Sequence, residues 1–311
     1  MDNIICIAGP TASGKTALSI ALAKELGGEV VSCDSMQVYK RMDIGTAKPT
    51  LEEMDGVPHH MLSVAEPWEN FSVGKYCHMA TPIVDDILER GKTAIIVGGT
   101  GLYMDALIRG NDFAPVPSTG RREELEKIAE EQGITAVIEM LRKVDPESAE
   151  RLHPSDQKRI IRAMEVYLET GKTITQHNLE TQQIPDRYHP VWFALEDAQR
   201  ATLYARIDRR VELMLQQGLI AEIESLLTEG VPESATAMQA IGYKEFVAAL
   251  DGLCTMEEAA DEVRKASRRY AKRQLTWFRR NEKIHWLTRR EGATGDEILQ
   301  RARQIIRNFD N

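Results

Sequence analysis

Residues 3–16 read NIICIAGPTASGKT. Asn3 to Ala8 is a short apolar run with β-branched residues that ends in a glycine turn, the pattern of a buried strand. Helical spacing follows (Ala17, Ile20, Ala21), and Gly27-Gly28 stops it. Between strand and helix, GPTASGKT matches the phosphate-loop pattern GxxxxGK[ST] in full. Glycines let backbone N–H groups face an anion, and the helix N-terminus adds partial positive charge. In such a loop Lys15 reaches the terminal phosphate and the Thr16 hydroxyl holds Mg²⁺. The stretch predicts a polyphosphate or diphosphate ligand held by Gly9, Pro10, Thr11, Ala12, Ser13, Gly14, Lys15 and Thr16.

Further strands are predicted at Glu29 to Cys33 (EVVSC), Thr93 to Val97 (TAIIV), Pro190 to Leu195 (PVWFAL) and Ile284 to Thr288 (IHWLT). Strands alternating with helices predict an α/β fold, a P-loop NTPase-like parallel sheet covered on both faces. From Arg121 to Asp186 there is no strand candidate, only charged helical stretches at 121–131, 134–143 and 156–170. Pro115 and Pro117 mark one side of this segment and Pro185 and Pro190 the other. The expected organisation is a core over 1–118 and 188–311 with an all-helical insertion over 119–187. Later helices are expected at 203–217, 220–229 and 257 to about 279.

The chain has 311 residues, 42% apolar and 28% charged, which excludes a disordered chain and leaves ample material for a core. No stretch approaches the roughly 18 apolar residues that would span a bilayer. There is no basic n-region, and Ile4 to Ala8 is too short for a secretory signal. The four cysteines form no CxxC pair, which argues against a zinc site and a disulfide scaffold. A cytoplasmic protein without a membrane partner is expected. The net charge is −9, yet Arg264 to Arg290 holds eleven Lys/Arg against one acid, Glu282. Local charge sets the local field, so the whole-chain value does not exclude nucleic acid.

An ordinary P-loop NTPase or kinase has a second apolar strand ending in an Asp that holds Mg²⁺. Here that strand ends IIVGGTG, with Gly98, Gly99 and Gly101 in place of the acid and Thr100 as the one side chain with chemistry. The strand at 29–33 does end with an acid, Asp34, at the crevice where ligands bind in open α/β sheets. A carboxylate there serves as metal ligand or general base. The alternative is an N-cap for a helix starting at Ser35.

DSMQVYKRMDIGTAKPT (Asp34 to Thr50), GPTASGKT, GGTGLY (Gly98 to Tyr103), AIGYKE (Ala240 to Glu245) and KRQLTWFRR (Lys272 to Arg280) together resemble the bacterial tRNA dimethylallyltransferases, the tRNA isopentenyltransferase family. The motifs run in order over nearly the whole chain. The resemblance implies transfer of a dimethylallyl group from dimethylallyl diphosphate to N6 of the adenine just 3′ of the anticodon. It also implies a P-loop core with an inserted helical domain that grips the anticodon stem-loop. Mg²⁺ on Thr16 is the expected cofactor, and a monomer is expected although the sequence does not fix the oligomeric state. A small-molecule or nucleoside kinase and a non-catalytic RNA-binding protein are the competing readings. The glycine-ended strand and basic last helix weigh against the first; intact Lys15, Thr16 and Asp34 weigh against the second.

On that resemblance Asp34 is the base that takes the proton from N6, Lys15 stabilises the leaving diphosphate, and Thr100 lies at the reacting centre. Contact with tRNA carries over to Asp34, Ser35, Met36, Gln37 and Thr100, to Gln239, Gly242, Tyr243 and Lys244 around AIGYKE, and to Lys272, Arg273, Gln274 and Trp277. For Trp277, core packing beside Phe278 is the alternative. Lys158, Arg159 and Arg162 cluster on one helix, where a solvated face is the ordinary explanation and RNA phosphate contact the one the resemblance favours. Arg122, at the start of the insertion, is a further tRNA candidate. Arg206 and Arg210 are i,i+4 neighbours whose guanidinium pair would clamp diphosphate, with surface ion pairing as the alternative. The helix near 257–279 repeats Arg264, Arg268, Lys272 and Lys265, Arg269, Arg273 at i,i+4, a basic ridge of roughly 35 Å.

Overall fold

The structure is a computed structural model, which describes residues 3–111, 119–182 and 184–309. The chain separates into two compact units, one of 1–110 with 187–311 and one of 111–186. Pro115 and Pro117, expected to flank the insertion, lie outside the described residues, as does residue 118 at the expected boundary.

The first unit opens with β1 (Ile4–Ala8), α1 (Lys15–Leu26), β2 (Glu29–Ser32), the short α2 (Leu51–Met54), β3 (His59–His60), α3 (Val73–Glu89), β4 (Ala94–Val97) and α4 (Gly101–Arg109). The second unit holds α5 (Arg121–Gln132), α6 (Ile134–Val144), α7 (Pro146–Arg151), α8 (Gln157–Thr170) and α9 (Ile174–Gln182). The first unit resumes with β5 (Val191–Asp197), α10 (Arg200–Gln216), α11 (Leu219–Thr228), a 3₁₀ turn (Ala237–Gln239), α12 (Tyr243–Leu250), α13 (Met256–Phe278), β6 (Ile284–Arg289) and α14 (Gly295–Phe309).

The six strands form one parallel sheet in the order β3-β2-β4-β1-β5-β6. Every residue of β1 and β2 is buried, as parallel strands covered on both faces require. Ile5 pairs with Ile95 on one side and Val191 on the other. One core cluster gathers Ile7, Leu18, Leu22, Phe193, Leu287 and Ile298 from strands and from the flanking α1 and α14. This is the P-loop NTPase-like arrangement, and it brings the carboxyl ends of β1, β4 and β2 side by side.

Two long helices are additions to the sequence reading. One is α3, with Pro82 inside it, where the ring removes one backbone donor. α14 follows β6 after a glycine-bearing turn. No helix starts at Ser35; residues 35–38 form a turn. The second unit has its own core, with Leu125, Val137, Leu141, Ile160 and Met164. Asp145, 3% exposed, ends α6 and accepts from Ser148 N at 3.1 Å and Thr175 Oγ1 at 2.7 Å. Among the described residues no helix is long and apolar enough to cross a membrane.

Candidate functional site

The turn from β1 into α1 is shaped by approaches that only glycine permits. A Cβ on Gly9 (φ +143°) would lie 2.9 Å from Leu195 O, and one on Gly14 (φ +90°) 2.8 Å from Arg289 Nη2. Lys15 Nζ donates to Pro10 O at 2.7 Å, folding the ammonium back over its own loop. Burial lowers its pKa to about 7; Arg210 adds repulsion and Asp34 partly opposes both. Arg210 Nη1 donates to Thr11 Oγ1 at 3.1 Å, and burial lowers that guanidinium's pKa too. Arg206 does otherwise than expected of a paired clamp. Its Nε donates to Ala12 O at 2.9 Å and its Nη2 binds the Asp197 carboxylate, so it braces the loop while Arg210 lines the cavity.

Asp34 follows β2. Its Oδ1 accepts from Met36 N at 2.9 Å and Gln37 N at 3.3 Å, which fixes the carboxylate and leaves Oδ2 uncommitted among the described residues. Thr100, after β4, accepts from Ser35 N at 3.1 Å through Oγ1, and its N–H donates to Cys33 O at 3.3 Å, tying the two turns together. The glycines that replace the acid have a packing cause. A Cβ on Gly98 would lie 1.9 Å from Cys33 O, on Gly99 2.0 Å from Gln274 Nε2, and on Gly101 2.2 Å from Trp277 Cδ1.

A cavity of about 700 Å³ joins these pieces. Its walls include Thr11 to Thr16, Asp34 to Gln37, Gly98, Gly99, Arg210, Gln239, Gly242, Lys244, Arg273 and Gln274, with Ile20, Val97, Val211 and Met214 as apolar surface. Gln37 lines it, yet its amide is engaged: Nε2 donates to Thr46 O and Ala47 O at 3.3 and 3.2 Å, and Oε1 accepts from Ser32 Oγ at 3.0 Å. Gln274, 5% exposed, is engaged as well, with Thr11 N and Gly99 O. Trp277 is half-buried and donates from Nε1 to Asp105 at 2.9 Å. Tyr243 is fully buried, and it is Gly242 and Lys244 beside it that reach the cavity.

Three residues escaped the sequence reading. Glu222 of α11 accepts the backbone N–H groups of Asp43, Ile44 and Gly45 at 2.7, 2.8 and 3.1 Å and the Tyr243 hydroxyl at 2.6 Å. It holds the loop that in turn receives Gln37. Tyr270 of α13 lines the cavity; burial, with Asp34 nearby, raises its hydroxyl to about 12. Arg289 stands behind Gly14. Each is remote in sequence from its partners, so no local pattern marked it.

The basic ridge of α13 is largely neutralised in its first half. Arg264 pairs with Asp261, Lys265 and Arg269 with Glu262, and Arg268 with Asp208. Lys272 and Arg273 are exposed and form no ion pair among the described residues; Arg273 lies over the Tyr270 ring. In the second unit Arg122 and Arg162 both pair with Glu165, while Lys158 and Arg159 are exposed.

A divalent cation is implied by the loop, and the donors fit a small hard one. Among the described residues no group of three or more His, Cys, Asp or Glu could hold a metal. Thr16, exposed at the start of α1, and Asp34 border one cavity. A small hard cation with few protein ligands takes its remaining oxygens from phosphate and water.

A phosphate cradle at the carboxyl end of a parallel sheet, facing a carboxylate, with no acid after β4, defines a P-loop group-transfer enzyme. The family model described as IPP transferase matches residues 37–281, and that described as isopentenyl transferase matches 2–66. The tRNA dimethylallyltransferase of Caldanaerobacter subterraneus subsp. tengcongensis is 46% identical over 96% of this chain and 95% of its own, and that of Halalkalibacterium halodurans 46% over 99% and 96%. The crystal structure of the full-length tRNA isopentenylpyrophosphate transferase of Bacillus halodurans superposes with a TM-score of 0.75 at 42% identity, covering 99% of this chain and 96% of that one. A eukaryotic dimethylallyltransferase acting on tRNA gives 0.79 at 32%, covering 92% and 73%. The chain belongs to the tRNA dimethylallyltransferase family, enzymes that transfer a prenyl group.

Proposed function

We propose that this chain moves the dimethylallyl group of dimethylallyl diphosphate to N6 of the adenine 3′ of the anticodon, releasing diphosphate. The observation that carries the reading is one cavity bordered by the P-loop with Lys15 and by Asp34, at the end of a sheet whose β4 carries no acid. An allylic C–O bond breaks readily because the cation is delocalised, so the enzyme's task is to stabilise charge on the departing diphosphate. Loop amides, Lys15 and Arg210 supply that field. Mg²⁺, held by Thr16 and phosphate oxygens, would add charge neutralisation there. The N6 lone pair is delocalised into the ring, and the amine must lose a proton as the C–N bond forms. Asp34, fixed by two amides, accepts it. N6 reaches the cavity only if the base leaves its stack. Ser35, Met36, Lys244, Lys272 and Arg273 line the approach or stand exposed near it, and Lys158, Arg159, Arg162 and Arg122 offer cations on the second unit. The tRNA pool it draws on is cytoplasmic.

The test incubates the purified protein with labelled dimethylallyl diphosphate, Mg²⁺ and unmodified tRNA. Label entering the tRNA at the adenine 3′ of the anticodon is expected. Transfer of phosphate from ATP without prenylation would make it a kinase, and RNA retention without either product a binding protein.

A further inference from the structure

We propose that Gln274 is a positioning residue of the phosphate site, whose carboxamide ties α13 to both the P-loop and the turn that carries Thr100. This rests on the functional reading above. Oε1 accepts the Thr11 N–H at 3.0 Å, and Nε2 donates to Gly99 O at 3.0 Å. The two partners fix which end of the amide is which, since a backbone N–H only donates and a carbonyl only accepts. Gln274 is 5% exposed, whereas Lys272 and Arg273 on the same helix turn face solvent. Gln274 is thus the buried polar fork of this turn of α13, beside Tyr270 and Arg273, which also line the cavity.

Both partners are backbone groups of turns that bear chemistry. Thr11 is held from two sides, by Gln274 at its N–H and by Arg210 at its hydroxyl. Its amide is thereby withdrawn from the anion, and the rest of the loop is set in place behind it. Gly99 lacks a Cβ because one would lie 2.0 Å from Nε2, so glycine and glutamine form a matched pair. The next residue, Thr100, holds Ser35, the neighbour of Asp34. One carboxamide thus sets the spacing between diphosphate cradle, hydroxyl and base. No other side chain does this at the same reach: Asn is one methylene shorter, Glu cannot donate, and Leu or Met can do neither.

The experiment compares wild-type enzyme with Gln274→Leu and Gln274→Glu in the full chain. With tRNA saturating, KM for dimethylallyl diphosphate should rise and kcat fall, each by about tenfold, since small misplacements of reacting groups are costly. The affinity for tRNA should stay within about twofold. Full kcat and KM with tenfold weaker tRNA binding would overturn the proposal, because the side chain would then be reading RNA. Unchanged kinetics with only a lowered Tm would overturn it too. If the leucine variant does not fold, Gln274→Met keeps the length and carries the same expectation. A calorimetric arm titrates inorganic diphosphate with Mg²⁺ and no tRNA, and expects the same loss of affinity. It reads the positioning role even where wild-type protein transfers no prenyl group, an outcome that would sink the functional reading alone.

Discussion

Asp34 can lose its basicity without losing its place. Its Oδ1 is the acceptor for Met36 N and Gln37 N, and an asparagine keeps that oxygen. Asp34→Asn should therefore leave tRNA affinity within about twofold while kcat falls by about 10² or more, the scale of a general base. Single-turnover kinetics checks this, and weak binding with normal turnover would assign the carboxylate to RNA contact. Lys15 carries a prediction of a different kind. With its pKa at about 7, burial being the main cause, it is mostly neutral in the ligand-free protein at pH 8.5. A bound diphosphate restores the charge, so binding must take up close to one proton between about pH 8 and 10, and almost none below about pH 6. Calorimetry with a non-reactive allylic diphosphate, in buffers of differing ionisation heat, measures the uptake. Lys15→Arg should abolish it, since guanidinium stays protonated throughout. The same sign governs stability. The unfolded chain binds the extra proton between pH 7 and 10, so on this group's account the empty protein gains stability as pH rises through that window.

Among elements, α13 carries most of the coupling. Its 23 residues hold acid-paired cations in the first half, then the exposed Lys272 and Arg273, the latter also lining the cavity, and the buried Gln274. Counterion release counts cations that meet phosphate, not cations in the sequence. Lys272→Ala with Arg273→Ala should weaken tRNA binding and lower the slope of log K against log salt by about 1 to 2. Arg268→Ala, which removes a cation already paired with Asp208 and lying over the Tyr204 ring, should leave that slope as it was. A filter-binding salt series distinguishes them, and equal slopes for both variants would dismiss the patch. The same helix shows what could be read beforehand. Its basic periodicity was visible, as were the P-loop and Asp34, because strand, turn and helix there are consecutive and the chemistry is local. The GGTG stretch reads in sequence as a missing acid beside Thr100 and as one motif of the family resemblance, but not as a packing constraint. Its cause, the close approach of Cys33, Gln274 and Trp277, needs tertiary contact. Nothing near Glu222 in the sequence indicates that it caps three amides of a loop after β2. α3 has no counterpart in the sequence analysis; it tolerates the hydrogen bond lost at Pro82 because Tyr76, Ala80, Val84 and Ile87 are buried on one face.

At the scale of the whole chain, the two points where the α/β unit hands over to the helical one are adjacent. A Cβ on Gly110 would lie 2.8 Å from that of Arg187, and Tyr188 N donates to Ile108 O at 3.1 Å. Tyr188 is buried and its hydroxyl donates to Asp85 of α3 at 2.7 Å, so the chain is anchored as soon as it returns. Among the described residues of 111–186 none belongs to a strand of the sheet or lines the cavity beside the P-loop, and the helices there pack on their own cluster around Val137 and Ile160. The α/β unit therefore has no need of the inserted helices to close its core. Replacing 111–186 by a short Gly/Ser linker should give a cooperatively folding protein, because closing so short a loop costs less entropy than the long one it replaces. Its affinity for inorganic diphosphate should stay within about threefold of the full chain, while tRNA affinity drops by tenfold or more for want of Lys158, Arg159 and their neighbours. Thermal melts followed by circular dichroism, diphosphate calorimetry and tRNA filter binding test the three statements separately. Retained tRNA affinity would confine RNA recognition to the α/β unit and α13, and loss of the cooperative melt would show that the core depends on helices it does not touch in sequence.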